Sequence, residues 1–386
     1  MIERLVKNMG MINVKLYKEI EGKPVKNRFI DKKIECLLNN EINLTDPTGE
    51  FSIKVASGDV IDNKSFGFWE WTSGVGLYGL MKYYKLTRKP EILATIKNWY
   101  DARFKEEPVG KNINTMVQML TLADLYEETG DKTYLPHLES WADWLYTTLP
   151  RTEQGAFQHV TYGDLNQNEM WVDTLMMSAL PLAKLGKVLH KDEYVQEAKK
   201  QFLLHIKYLQ DPVTGLFFHG WTFNDRNHFG GAFWGRGNCW ATIAIPELLT
   251  LLDLPKDDAF RQYLITTLKY QIDALAKYQD ETGMWHTLVD DPDSYLEGSA
   301  TAGFTYGILM ALHKHLIEGE NYRKVAMKGL KALLDNIDDE GGLAHTSAGT
   351  PMGETKDFYK QIKCSNMPYG QSMAAMALTE FLSEFY

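Results

Sequence analysis

The chain has 386 residues, of which 44% are hydrophobic and 24% charged, and its formal net charge is -10 at pH 7. This composition is typical of a globular protein with a large core, and no run approaches the length of a membrane span. The acidic balance excludes binding to a nucleic-acid backbone, which requires a basic face, but it allows a small anionic substrate.

The N-terminal residues and the cysteines indicate the compartment. Residues 1–20 carry charges throughout and lack the apolar core and cleavage site of a secretory signal. Cys36, Cys239 and Cys364 are far apart, without the spacing of a disulfide framework or a zinc site. We therefore expect a cytoplasmic protein that is not attached to a membrane and has no metal and no other cofactor.

Twelve segments along the chain have apolar residues at helical spacing. They are residues 2–20, 70–86, 91–105, 113–129, 134–148, 170–188, 192–210, 237–252, 258–279, 300–317, 321–337 and 369–386. Short breaks with capping residues, such as YEETGDKTYL and LIEGENYRKV, predict tight helical hairpins. Strand patterns are nearly absent and no linker divides the chain. The sequence predicts an all-α fold in which residues 1–386 form a single (α/α)6 barrel of six hairpins, with the first helix beside the last.

A repeated motif follows four of the outer helices in this scheme. It reads GAFQH at 155–159, GLFFH at 215–219, GMWH at 283–286 and GLAH at 342–345. The glycine supplies a turn, and the aromatic and histidine side chains then project toward one rim of the barrel. A histidine after a turn often only ties down its loop. We favour His219 as a functional residue, because FFHGW places it between aromatic residues and a glycine that allows close approach of a ligand.

Several tryptophans lie where the predicted inner helices begin. They are Trp69, Trp71, Trp171, Trp234 and Trp240. Such residues are ordinarily core, but at the mouth of a cavity their faces suit the C–H surfaces of sugar rings. We therefore expect a carbohydrate site at this rim.

The candidate for proton chemistry is Asp173, in the segment NEMWVDTLMMSALPLA. Helical spacing puts Trp171, Leu175, Ser178 and Leu182 on one stripe and Asp173 in the first turn. Two interpretations are open: the carboxylate complements the helix dipole, or it acts as a proton donor. Burial among tryptophans predicts a raised pKa for Asp173, which a nearby Arg236 opposes.

Several stretches resemble one known family, in order and over nearly the whole chain. They are WTSGVGLYGL, KNINTMVQMLTLADLYEETGD, MWVDTLMM, TGLFFHGW, FWGRGNCW and EGSATAGFTYGI. They are similar to the unsaturated rhamnogalacturonyl hydrolases of glycoside hydrolase family 105, relatives of the family 88 unsaturated glucuronyl hydrolases. The resemblance implies an (α/α)6 barrel that removes a terminal 4,5-unsaturated uronic acid from oligosaccharides left by a polysaccharide lyase. The reaction is hydration of the C4=C5 vinyl ether.

The resemblance also implies roles for individual residues. Asp173 protonates C4 and activates the water that adds at C5, and His219 lines the site around the uronyl ring. Arg236 holds the uronate carboxylate. The substrate-binding aromatic residues are Trp71, Trp171, Trp234 and Trp240. Many relatives carry a second carboxylate where this chain reads GKNINTM, so Asn114 or Asn112 takes that place and cannot titrate.

The identity of the following sugar, its linkage and the oligomeric state stay open. Family frequency favours unsaturated galacturonyl-rhamnose from pectin, and the loops at 224–233 and 345–368 are expected to decide. The alternatives are an unsaturated glucuronyl hydrolase acting on another lyase product, a sugar 2-epimerase with a histidine pair, a polysaccharide lyase, or a binding scaffold without chemistry.

Overall fold

The computed structural model describes residues 17–383 except 21, 56, 57, 59 and 108. In chain order its helices are α1 (Asn27–Ile42), α2 (Trp71–Thr87), α3 (Pro90–Arg103), α4 (Gln118–Thr129), α5 (Leu135–Thr147), α6 (Leu180–Val188), α7 (Asp192–Leu209), α8 (Gly235–Leu252), α9 (Ala259–Tyr278), α10 (Gly298–His313), α11 (Glu320–Asp335), α12 (Lys356–Lys360) and α13 (Pro368–Ser383). All but the short α12 belong to the two layers of a barrel.

The inner ring consists of α2, α4, α6, α8, α10 and α13, each packed against the next, and the contact between α13 and α2 closes it. The outer helices α3, α5, α7, α9 and α11 cover this ring, and α1 lies on α13. Inner helices are buried on nearly every side; in α10 every residue from Gly298 to Ala311 is buried. The predicted (α/α)6 barrel is confirmed. Within the described helices, none has both the length and the apolar character that a bilayer crossing requires.

The first helix differs from the prediction of residues 2–20. Residues 1–16 lie outside the described part of the chain, and Tyr17–Ile20 is a strand, β1, paired with β2 (Lys23–Lys26). The place beside the last helix is taken by α1, which the sequence analysis missed. Its buried residues Ile30, Ile34, Leu37 and Leu38 have helical spacing, but charged and amide residues separate them.

Three further pairs of short antiparallel strands are present in the described residues. They are β3 (Ser52–Lys54) with β4 (Val60–Asp62), β5 (Glu169–Trp171) with β6 (Gly220–Thr222), and β7 (Trp285–His286) with β8 (Leu296–Glu297). Strands of two or three residues leave no alternation to read in a sequence. The predicted helix 170–188 therefore begins as β5 and a turn, followed by a π-helical turn at Leu175–Ala179 and then α6.

The four repeated loops lie at one end of the barrel, after an outer helix and before the next inner one, as predicted. Gly155, Gly215 and Gly283 have φ of 80°, 83° and 92°, in the left-handed region that favours glycine. In the fourth loop the left-handed residue is Gly341, with φ of 87°, one position before the glycine of the motif. The pairing of β5 with β6 brings residues of two different repeats together, whereas β7 and β8 pair within a single loop.

Candidate active site

A cavity of about 260 Å³ opens at the end of the barrel where the inner helices begin. Its wall is built from the β3–β4 hairpin, the start of α2, the segment before α4, residues 161–166, the end of β5 and residues 349–351. Within the described wall there is no lysine or arginine. The cavity is therefore aromatic and polar but has no cationic side chain on its surface.

Asp173 lies in the turn after β5, beside this wall. Its side chain is 15% exposed, and its Oδ2 atom is 3.3 Å from Nε2 of His219. The pairing of β5 with β6 sets this distance, since Trp171 is opposite Gly220 and the Val172 N–H donates to the His219 carbonyl at 2.9 Å. Neither Oδ2 nor Nε2 has another hydrogen-bond partner among the described residues. The two groups thus face each other as a pair.

Tyr359 orients the imidazole of His219 from the other side. The Tyr359 hydroxyl is 2.7 Å from Nδ1 of His219, and it accepts the Gly353 N–H at 3.0 Å. The other acceptor near this hydroxyl is the weak Met352 sulfur, at 3.7 Å. In the neutral imidazole the hydroxyl therefore donates to Nδ1, and the proton stays on Nε2, which faces Asp173. The sequence carried no signal for Tyr359, which is 140 positions from its partner.

His159 supports the same site through Trp171. Its ring stacks on that of Trp171, with centroids 4.1 Å apart, and its Nδ1 is 2.9 Å from the Thr174 hydroxyl. Burial lowers the pKa of His159 to about 3, so the ring is neutral at physiological pH. Two of the four loop histidines, His159 and His219, thus flank the turn that carries Asp173.

The electrostatics of Asp173 differ from the sequence-based expectation. Burial in itself raises the pKa of Asp173. The contact with His219 and the nearby ring of His159 lower the pKa by more than burial raises it, so the net shift is downward. The predicted raised pKa is therefore wrong, because the opposing group is His219 rather than Arg236. In the free protein Asp173 is ionised at neutral pH.

Arg236 is completely buried at the start of α8, and its contacts are with protein groups. Nη1 donates to the carbonyl of Ser347 at 2.9 Å, and Nη2 donates to the carbonyl of Ala348 at 2.8 Å and the hydroxyl of Thr350 at 2.9 Å. Nη1 also lies 3.7 Å from the buried carboxylate of Glu297. Both terminal nitrogens are engaged with protein groups, and the role of Arg236 toward a substrate carboxylate stays a prediction. The guanidinium holds residues 347–350, part of which forms the cavity wall.

The predicted aromatic residues divide into two groups. Trp71 and Trp171 line the cavity. Trp234 and Trp240 are 1% and 0% exposed and pack behind it. Trp234 lies against His219 with ring centroids 4.3 Å apart, and Trp240 meets Trp71 edge to face at 6.1 Å. Trp69 is outside the site, stacked on Trp141 in the core.

Of the two asparagines, Asn114 lines the cavity and Asn112 does not. Asn112 is buried, and its Oδ1 accepts the backbone N–H groups of Asn114 and Thr115 at 2.8 and 3.0 Å, which is a capping role. The wall also contains Glu70, which the sequence analysis did not single out. The available signal was the EWTS sequence, where the Glu70 side chain caps α2 in a capping box with Ser73.

Comparisons with known proteins agree with this fold. The profile of Glycosyl Hydrolase Family 88 matches residues 43–385. The unsaturated rhamnogalacturonyl hydrolase YesR of Bacillus subtilis is 33% identical over 317 residues, covering 81% of this chain and 90% of that protein. A crystal structure of a possible GH105 family member from Salmonella enterica is 49% identical with a TM-score of 0.92, covering 94% of this chain and 96% of that one. Its counterpart from Klebsiella pneumoniae is 50% identical with a TM-score of 0.91, covering 94% and 95%.

Proposed function

Since this chain belongs to Glycosyl Hydrolase Family 88, we propose that it acts as an unsaturated rhamnogalacturonyl hydrolase, as the resemblance in its sequence implies. It is a glycosidase that removes the terminal 4,5-unsaturated uronic acid from oligosaccharides produced by a lyase. Within that class, we assign unsaturated galacturonyl-rhamnose from pectin rhamnogalacturonan as the substrate. The observation that carries the proposal is the pair of Asp173 and His219, 3.3 Å apart beside an aromatic cavity.

The proposed reaction adds one water across the C4=C5 bond. Asp173 transfers a proton to C4, which leaves a cation at C5 that the ring oxygen stabilises. A water molecule adds to C5 and returns a proton to the Asp173 carboxylate. The resulting hemiketal opens to a ketone at C5, and the hemiacetal at C1 then releases the next sugar as an alcohol. Protons balance over the cycle, and a single carboxyl group serves both steps.

An ionised Asp173 needs a source for the proton that it delivers. The pair accommodates one added proton, since the Tyr359 hydroxyl can accept from Nδ1 of an imidazolium and Nε2 still faces Oδ2 of Asp173. A substrate ring that displaces water disfavours the charge-separated form, so the proton shifts from His219 to Asp173. Catalytic contacts of this kind are often long before substrate binds, as the 3.3 Å separation is here.

The shape of the cavity supports action on a terminal sugar. A volume of about 260 Å³ suits one ring, and Trp71 and Trp171 in the wall supply aromatic surface for it. Asn114 and Thr350 supply polar groups for hydroxyls. Residues 349–351 belong to the 345–368 loop that we expect to choose the following sugar, whereas no residue of the 224–233 loop lines the cavity.

The proposal is tested with purified lyase products. Unsaturated galacturonyl-rhamnose, an unsaturated glucuronyl disaccharide and their saturated counterparts are each incubated with the protein, and the ultraviolet absorbance of the C4=C5 bond and the released sugar are followed. We expect the unsaturated galacturonyl disaccharide to be consumed fastest and the saturated ones to persist. Turnover of saturated substrates at a similar rate, or no turnover of any unsaturated one, would overturn the proposal.

A further inference from the structure

We propose that Glu70 is a substrate-binding residue, whose neutral carboxyl group donates a hydrogen bond to the carboxylate of the unsaturated uronyl ring. The inference rests on the proposed function and adds the group that recognises the carboxylate of the substrate. It replaces the guanidinium of Arg236 in that role.

One of the two carboxyl oxygens of Glu70 has no hydrogen-bond partner among the described residues. The side chain lies in the cavity wall at the start of α2 and the residue is 2% exposed. Its carboxyl group accepts the backbone N–H of Ser73 in the capping box. Its Oε2 atom is buried and has no hydrogen-bond partner among the described residues. A buried polar atom without a partner costs about 1–3 kcal/mol, so its place in a ligand cavity points to a contact with the ligand.

The charges around the cavity require a neutral group at this position. The titratable groups that share the cavity wall with Glu70 are Asp164 and Tyr162, and Arg236 lies behind Trp71 with its Cζ 5.8 Å from the indole ring. The described wall contains no lysine or arginine, and the terminal nitrogens of Arg236 are bonded to residues 347–350, so no cation of the described wall is available to a bound uronate. An ionised Glu70 would repel the substrate carboxylate, whereas a protonated one offers it a donor.

The protonation state of Glu70 agrees with this role. Burial raises the pKa of Glu70 to about 8, although the nearby backbone of Trp71 and side chain of Asn114 oppose the rise. Glu70 is therefore mainly neutral at pH 7. A bound carboxylate favours the protonated form further, because the hydrogen bond exists only with that form.

Glutamine is the informative substitution. In Glu70→Gln the amide oxygen keeps the cap on Ser73, and the amide nitrogen keeps a neutral donor that cannot titrate. The matched control is Glu41→Gln. Glu41 is a second buried glutamate with a raised pKa, it packs against α2 at Gly76, and it is outside the cavity. Thermal melting of both variants shows whether either substitution affects folding.

The experiment measures kcat and KM from about pH 6 to about pH 9, with the unsaturated galacturonyl-rhamnose disaccharide and its methyl ester. For the wild type and Glu41→Gln, we expect KM for the acid to rise roughly tenfold per pH unit above about pH 8, and KM for the ester to stay nearly constant. For Glu70→Gln, we expect a KM that is roughly 3- to 10-fold higher at neutral pH, no rise at alkaline pH, and kcat within about threefold.

Four results would overturn the inference. A loss of about a hundredfold in kcat in Glu70→Gln would make Glu70 a catalytic proton donor. An alkaline rise in KM that persists in that variant, or a KM equal to that of Glu41→Gln throughout, would leave Glu70 with the capping role alone. A wild type that consumes no unsaturated disaccharide overturns the proposed function and the inference with it. Any of the three outcomes for Glu70→Gln, with an active wild type, overturns the inference alone.

Discussion

Replacement of Asp173 by asparagine tests the proposed proton donor. The amide has the size of the carboxyl group, and its oxygen can accept from Nε2 of His219, so the turn after β5 keeps its contacts. The substitution exchanges a bond to a charged group for a neutral one, which differ by about 1 kcal/mol, and it removes the cost of burying the charge. These effects oppose each other, and we expect the free energy of unfolding to change by less than about 1 kcal/mol.

The effect of Asp173→Asn on the rate is expected to be far larger. A positioned general acid contributes about 10²- to 10⁴-fold, which corresponds to about 3 to 5 kcal/mol of transition-state stabilisation. Trp71, Trp171 and Asn114 still line the cavity, so KM changes little and the loss falls on kcat.

Initial rates follow the disappearance of the C4=C5 absorbance, and a thermal melt of each sample reports folding. The matched control is Asp280→Asn. Asp280 also faces a histidine, with Oδ2 at 3.7 Å from Nε2 of His286, but it is not part of the cavity. We expect the control to retain full activity. An Asp173→Asn variant that keeps more than about a tenth of the wild-type kcat would refute the assignment of Asp173 as the proton donor.

Three further substitutions test the groups around the pair. Tyr359→Phe leaves Nδ1 of His219 and the N–H of Gly353 without partners, and we expect a roughly 10- to 100-fold lower kcat; an unchanged kcat would contradict the orienting role. Arg236→Lys cannot bridge the carbonyls of residues 347–350, so we expect kcat/KM to fall equally on the acid and on its methyl ester. If Arg236→Lys has the wild-type kcat/KM on the methyl ester and a lower one on the acid, Arg236 binds the carboxylate directly. For His159 the folded pKa is about 3 against an ordinary 6.5, so the unfolded chain binds the proton first and stability is lost as pH falls below about 6.5. Urea unfolding measures the free energy of unfolding of the wild type and of His159→Gln at about pH 7 and about pH 4. Between these pH values we expect the wild type to lose roughly 3 kcal/mol more than the variant, and a difference between the two proteins that is the same at both pH values would disprove the low pKa of His159.

The sequence by itself determined the helical layers and the end of the barrel that carries the site. Helical periodicity and turn residues are set by neighbours along the chain, so most hairpins and the glycines at 155, 215 and 283 were predictable. The family resemblance came from contiguous motifs for the same reason. The miss at α1 also has a local cause, because Lys, Asn and Glu residues obscure its apolar stripe.

Only the tertiary structure decided how the site residues are used. The pairing of β5 with β6 joins Asp173 to His219 and lowers the pKa that the sequence predicted to be raised. Arg236 finds its partners 111 to 114 positions away, and these contacts occupy the nitrogens that the sequence analysis assigned to the substrate. Burial and hydrogen-bond partners depend on closure of the whole ring, which brings together segments from distant repeats. The neutral acid at Glu70 has the same origin, since local sequence predicts its cap but not its burial in the cavity wall.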